Sequence, residues 1–242
     1  WRWRSGWFAS VILQLRGSSS TRLRRADRMA RFIELDTTRG TGEWIERVFE
    51  EMAGGALVAH PTTSVYGLVA ADPELDPVVS HLKGRDASIP ILRLVSDSTR
   101  LLNLFPDIVW PEVAAFLADA FWPGPLTLVL DDGSQSGLAV RAESHPATRA
   151  ILSHWEGTLG STSLNPGGGR PARTLSEAST VLGTMTDPGR PVLLVAAADL
   201  AGPPPSTLLS LRRGECVLLR EGAIDRSMLE RVLGRRLDLQ GG

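Results

Sequence analysis

The chain has 242 residues, 43% of them hydrophobic and 22% charged, with a net charge of −1. No apolar run approaches the roughly 20 residues a bilayer-spanning helix needs, and a lone cysteine, Cys216, excludes an internal disulfide framework. The near-neutral total hides an asymmetry: residues 1–28 hold seven arginines and one acid, Asp27, so residues 29–242 carry 19 basic and 26 acidic side chains, a net of −7 that disfavours non-specific nucleic-acid binding.

Residues 1–28, rich in Arg and Ser, have a composition compatible with a transit peptide. Met29-Ala30-Arg31-Phe32 has the look of a natural start, so we expect the preceding stretch to be an upstream or poorly ordered extension and the fold to occupy 31–235. From Glu43 to Ala53 the apolar residues Trp44, Val48, Phe49 and Met52 recur at helical spacing, ended by Gly54-Gly55. Ala56 to Ala59 reads as a short buried strand running into Pro61. Val78 to Leu82 predicts a helix, Ile91 to Val95 a strand, and Glu112 to Phe121 a helix after Trp110-Pro111. Leu126 to Leu130, Leu138 to Val140, Val192 to Val195 and Cys216 to Leu219 read as strands, and Asp225 to Leu233 as a closing helix. Interleaved helices and strands without a repeat predict an α/β layer architecture around one main sheet. Cys216, inside an apolar run, is expected to be a buried structural thiol.

The scarcest residue types carry the chemical signal. Of 26 basic residues, 25 are arginine and one is Lys83. A single ammonium in so arginine-rich a chain marks a position that needs a compact point charge rather than a planar fork. It stands two residues before Arg85, and the pair suits a polyphosphate. The one tyrosine, Tyr66, lies in His60-Pro61-Thr62-Thr63-Ser64-Val65-Tyr66-Gly67, a hydroxyl-rich string after a strand that fits either amino-acid recognition or a turn with a core tyrosine. Gly160-Ser161-Thr162-Ser163-Leu164-Asn165-Pro166-Gly167-Gly168-Gly169 offers hydroxyls, an amide and backbone N–H groups to a nucleotide, yet matches neither a Walker A loop nor a dinucleotide fingerprint. Four histidines show no paired metal-ligand spacing.

Taken in order, these strings resemble the YrdC-type threonylcarbamoyl-adenylate synthase family. Pro61 to Gly67, Lys83-x-Arg85, Trp122 to Thr127, Ala139-Val140-Arg141 with His145-Pro146, Ser163-x-Asn165, and Ser206-Thr207 with Leu219 to Gly222 match the family's motifs in order and spacing, over about 31–235. The resemblance implies a YrdC-like twisted mixed sheet flanked by helices around a concave, positively charged cavity. It implies ATP-binding roles for Lys83, Arg85, Ser161, Ser163, Asn165 and Arg220, with Lys83 and Arg85 as the catalytic cations. Threonine-binding roles fall on Thr62, Arg85, Thr127, Arg141 and Ser206. The implied reaction is formation of threonylcarbamoyl-AMP and pyrophosphate from L-threonine, bicarbonate or CO2 and ATP, with Mg2+ accompanying the nucleotide and no protein metal site. A downstream threonylcarbamoyl transferase complex and tRNA would follow as indirect partners, in the cytoplasm and away from membranes. Two other readings stay open: an RNA-binding or ribosome-associated module on the same scaffold, and a divergent or inactive paralogue.

Overall fold

The computed structural model describes residues 32–36, 41–71, 73–84, 86, 90–165, 169–184, 192–196, 200, 202 and 204–239. The expected extension at 1–28 lies outside them. Strand β1 (Phe32–Asp36) is followed by helix α1 (Thr41–Ala53), β2 (Leu57–Pro61), β3 (Tyr66–Ala70), a 3-10 turn (Pro73–Leu75) and α2 (Asp76–Leu82). Next come β4 (Leu92–Val95), α3 (Ser98–Leu104), α4 (Glu112–Phe121), β5 (Leu126–Leu130), β6 (Leu138–Ala142), α5 (Pro146–His154) and β7 (Leu159–Ser163). The last elements are α6 (Leu175–Thr184), β8 (Val192–Ala196), β9 (Thr207–Ser210), β10 (Val217–Arg220), α7 (Arg226–Leu233) and β11 (Asp238–Leu239).

The described strands form one twisted mixed sheet in the order β1-β8-β2-β3-β7-β4-β6-β5-β9-β10-β11. The sheet combines parallel pairs (β1–β8, β8–β2, β4–β6, β5–β9, β10–β11) with antiparallel ones (β2–β3, β3–β7, β7–β4, β6–β5, β9–β10). The sheet is thus of the mixed kind that the resemblance implied.

Helices cover it in three patches, each sealed by an apolar cluster. Trp44, Val48 and Met52 of α1, four residues apart, pack with Ile151 and Leu152 of α5 against Val58, Val69, Leu94 and Leu159 of the sheet. On the other face of the same strands, Val79 of α2 and Ala178 and Leu182 of α6 meet Leu57, Ala59, Tyr66 and Leu68. Tyr66 is fully buried there, so the core alternative for that side chain is the one realised. In the second half of the sheet, Leu117 of α4 and Leu229 of α7 pack on Leu126, Leu128, Val140 and Ala142, with Cys216 buried among them. Alternation then turns Thr127 and Arg141 away from that cluster, to the opposite face.

Local chemistry sets the helix ends. Asp97 and Asp225 accept from the N–H of Arg100 and Met228 and so cap α3 and α7. Ahead of α6, Thr174 and Glu177 form a reciprocal capping box: each side chain accepts from the other's backbone N–H at 3.1 Å. Pro146 opens α5 and the His145 ring caps it, its Nδ1 accepting from Ala147 N. The Trp122–Pro123 bond that enters β5 is cis, and Trp122 Nε1 donates to Leu126 O at 2.7 Å.

Candidate functional site

Lys83 directly follows α2 and is only 6% exposed. The register of β4 on β7 starts with Leu92 opposite Ser161. Beyond that point, at Thr162 and Ser163, the lysine takes the edge of β7. Its Nζ donates to Asn165 Oδ1 at 2.8 Å, to Ser163 Oγ and Thr162 Oγ1 at 3.2 Å each, and to the Ser163 carbonyl. Ser163 Oγ in turn donates to Asn165 Oδ1 at 2.6 Å, while Asn165 Nδ2 donates to Gly169 O at 3.0 Å. These are neutral oxygens around a buried cation, weaker acceptors than a phosphate would be. Leu164, between the two polar residues, turns the other way into the core. The second cation of the sequence motif, Arg85, lies outside the described residues.

A second cluster lies on β5, β6, β9 and β10. Thr127 Oγ1 and Ser206 Oγ are 2.9 Å apart. Arg220 donates to Ser206 O through Nε at 3.2 Å and Nη2 at 2.8 Å. Gly222 makes this approach possible, since a Cβ there would stand 2.1 Å from Pro205 O. Arg141 is 6% exposed and donates from Nη2 to Glu143 Oε2 at 2.5 Å, yet its Nε is buried without a partner. Burial, then the nearby Arg141 charge, pushes the Arg220 pKa down. A guanidinium whose neighbour is a second guanidinium, with a buried donor left unpartnered, is suited to an anion.

The turn between β2 and β3 links the two clusters. Thr62 donates to Val65 O at 2.6 Å and accepts from the N–H of Ser64 and Val65, so its hydroxyl is committed to shaping that turn. Thr63 reaches Glu143 across 80 positions of chain, and Tyr66 O accepts from Leu164 N at 2.8 Å. Below the turn sits His60, fully buried. Thr148 Oγ1 gives its proton to Pro61 O, so it must accept from His60 Nδ1, 2.8 Å away. His60 Nε2 is then the bare nitrogen and accepts from Ser161 Oγ at 3.2 Å. Burial holds this imidazole down at a pKa of about 4. Gly67 is the residue that leaves it room, because a Cβ there would lie 2.5 Å from Nε2.

The structure therefore gathers Lys83, Ser163 and Asn165 in one cluster and Thr127, Arg141, Ser206 and Arg220 in another. Ser161 sits with His60 between them, and Thr62 serves the connecting turn. Sequence reasoning missed Glu143 and Thr148, and gave no individual role to His60 and Thr162, though both lie in strings it singled out. The signal for Glu143 and His60 was a polar residue standing just after or inside an apolar strand. Among the described residues no group of three or more His, Cys, Asp or Glu side chains is placed to hold a metal ion, and no helix is long and apolar enough to cross a membrane. A surface groove of about 580 Å³, lined by Asp97, Arg100, Ser153, Trp155 and Glu156 among others, contains none of these site residues.

Comparison with known proteins adds the following. A family model named for Sua5, YciO and YrdC and described as "Telomere recombination" matches residues 50–222. A threonylcarbamoyl-AMP synthase of Halorhodospira halophila is 36% identical over 155 residues, covering 58% of this chain and 80% of that protein. One from Chromohalobacter salexigens is 30% identical over 188 residues, covering 72% of this chain and 97% of that protein. Among solved structures, P. abyssi Sua5 complexed with L-threonine aligns with a TM-score of 0.73 and 25% identity. That alignment covers 86% of this chain, which spans 62% of the P. abyssi chain.

Proposed function

The chain belongs to the Sua5/YciO/YrdC family, and from that premise we infer that it is an L-threonylcarbamoyladenylate synthase. The amine of L-threonine combines with CO2, or with bicarbonate and loss of water, to give a carbamate. A carbamate oxygen then forms a bond to the α-phosphorus of ATP as the bond to pyrophosphate breaks. The observation that best supports this reading is the two-part cation site: a caged ammonium at Lys83 and, across one turn, a guanidinium pair with an unpartnered buried donor.

Lys83 holds the phosphates. The neutral oxygens around Nζ keep it in place, and an anionic phosphate oxygen displaces one of them at a gain, because charge-assisted hydrogen bonds are stronger than those to neutral acceptors. Ser163 and Asn165 orient the lysine and flank the nucleotide, and Arg220, on β10 in the other cluster, reaches across to the same phosphate where the two halves of the site meet. Ser161 gives its hydroxyl proton to His60, so toward the nucleotide it acts as an acceptor. Arg141 Nε takes the threonine carboxylate, with the Thr127–Ser206 hydroxyl pair beside it. Arg85 would add a second cation next to Lys83. Positioning and charge neutralisation carry such a reaction, and no covalent nucleophile is required. Both oxygens of Glu143 are occupied by protein donors, so we assign Mg2+ to the ATP phosphates and water rather than to this carboxylate. The product suits a transferase complex that passes the threonylcarbamoyl group to adenosine in tRNA.

Incubation with ATP, Mg2+, bicarbonate and each amino acid in turn, reading pyrophosphate, tests the proposal. Release that depends on threonine is expected. No release with any amino acid from folded protein, or salt-dependent tRNA binding without ATP as the only activity, would overturn it.

A further inference from the structure

Glu143 is a carboxylate with 0% exposure, one residue beyond β6. Placing a charge there is strongly unfavourable unless its oxygens are met by good partners. They are. Oε2 accepts from Arg141 Nη2, and Oε1 accepts from Ser144 N at 2.9 Å, His145 N at 3.2 Å, and both Thr63 N and Thr63 Oγ1 at 3.3 Å. Two of these donors are local, supplied by the bend that leads into α5. The Thr63 pair comes from the β2–β3 turn, so one carboxylate fastens the arginine of β6 to the segment that also borders the Lys83 cage. Burial works to raise the Glu143 pKa, but the Arg141 guanidinium and the N–H groups of His145 and Ser144 outweigh it, and the net shift is downward. The group is a carboxylate at neutral pH.

Arg141 stands near a second guanidinium, that of Arg220, and keeps one buried donor without a partner. Without an anion beside it, a buried arginine in that position would swing away from its neighbour or draw in water. We propose that Glu143 is the positioning residue of the amino-acid half of the site: it holds the Arg141 guanidinium by Nη2 so that Nε stays available to a substrate carboxylate, and it fixes that arginine relative to the Thr63 turn. Glu143 touches no substrate and acts through Arg141. The inference rests on the reading of Arg141 as the threonine-carboxylate ligand.

The test is a comparison of KM values. Glu143→Gln is isosteric and keeps an acceptor for Thr63, Ser144 and His145 while removing the charge opposite Arg141. It should raise the threonine KM by roughly tenfold or more and leave the ATP KM within about twofold. Glu143→Asp keeps the charge but is too short to reach both Arg141 and Thr63, and should fall between the two. A purely structural role would move both KM values together. Equal rises, or no rise, in Glu143→Gln would overturn the proposal. Should that variant not fold, Thr63→Val decides: it removes one hydroxyl contact and is expected to raise the threonine KM alone, by about threefold, and an unchanged value overturns the proposal. Absence of threonine-dependent pyrophosphate release in the unaltered protein would overturn the substrate reading itself, a result distinct from release that is indifferent to Glu143.

Discussion

The two halves of the site manage positive charge in opposite ways. Around Lys83 an ammonium is held by neutral oxygens from Thr162, Ser163 and Asn165, all within four positions of chain. Around Arg141 and Arg220, each guanidinium has its own acceptor, the Glu143 carboxylate two residues on for Arg141 and the Ser206 carbonyl for Arg220, and one Arg141 donor is left over. A compact ammonium with rotatable protons can wait in a cage of weak acceptors and exchange one for phosphate. A planar fork has fixed directions, so it must be held from one side to meet a carboxylate from another. The difference explains why one lysine survives in a chain that otherwise uses arginine.

Breaking the ammonium half should have the largest effect. Lys83→Ala is expected to lower kcat/KM for pyrophosphate release by at least about a hundredfold with the fold retained by circular dichroism. Lys83→Arg should not rescue it, because a guanidinium does not fit among the Asn165, Ser163 and Thr162 oxygens.

The seam between the halves should respond to acid. His60 has a pKa of about 4 when folded against 6.5 in an unfolded chain. Between those values the unfolded state binds a proton that the folded state does not, so stability is full above pH 6.5 and falls as pH drops toward 4. The loss amounts to about 3 kcal/mol across the window. The depressed Glu143 pKa adds to the loss once pH falls below the ordinary Glu value of 4.5. Thermal unfolding at pH 7 and pH 4.5 checks this, and a His60→Gln variant should show a flatter dependence.

Smaller changes sharpen the contrast. Arg141→Ala should raise the threonine KM by roughly thirtyfold, the worth of a charge-assisted bond, while the ATP KM changes much less. Asn165→Ala should do the reverse at about tenfold, because its carbonyl orients Lys83. Thr127→Val, which leaves the shape and removes one hydroxyl of the pair with Ser206, should cost only a few-fold in threonine KM.

What could be read from the sequence divides along physical lines. Helices α1, α4 and α7 and strands β2, β4, β5, β6, β8 and β10 were legible within a residue or two, because each shows a clean apolar period or run. Strand β3 was not, since Tyr66 and Gly67 close a Thr/Ser-rich string that reads as a turn. Strand β7, Leu-Gly-Ser-Thr-Ser, reads as a loop; it is a strand because β3 and β4 pair with it from either side. The Thr174-x-x-Glu177 capping box was present in the sequence and would have marked α6. In the site, Lys83 stood out by scarcity alone. Glu143 had no such mark among the many acids of the chain, and its importance comes from Thr63, a residue 80 positions away that only the fold brings near.

The most direct test of the central claim, that the two halves hold ATP and threonine for one reaction, is product detection. The protein would be incubated with ATP, Mg2+, threonine and isotopically labelled bicarbonate, quenched, and read by mass spectrometry. A threonylcarbamoyl-AMP species carrying the label, with pyrophosphate in equal amount and both lost in Lys83→Ala, is the expected result. Folded protein that binds ATP and threonine yet forms no labelled adduct would contradict it.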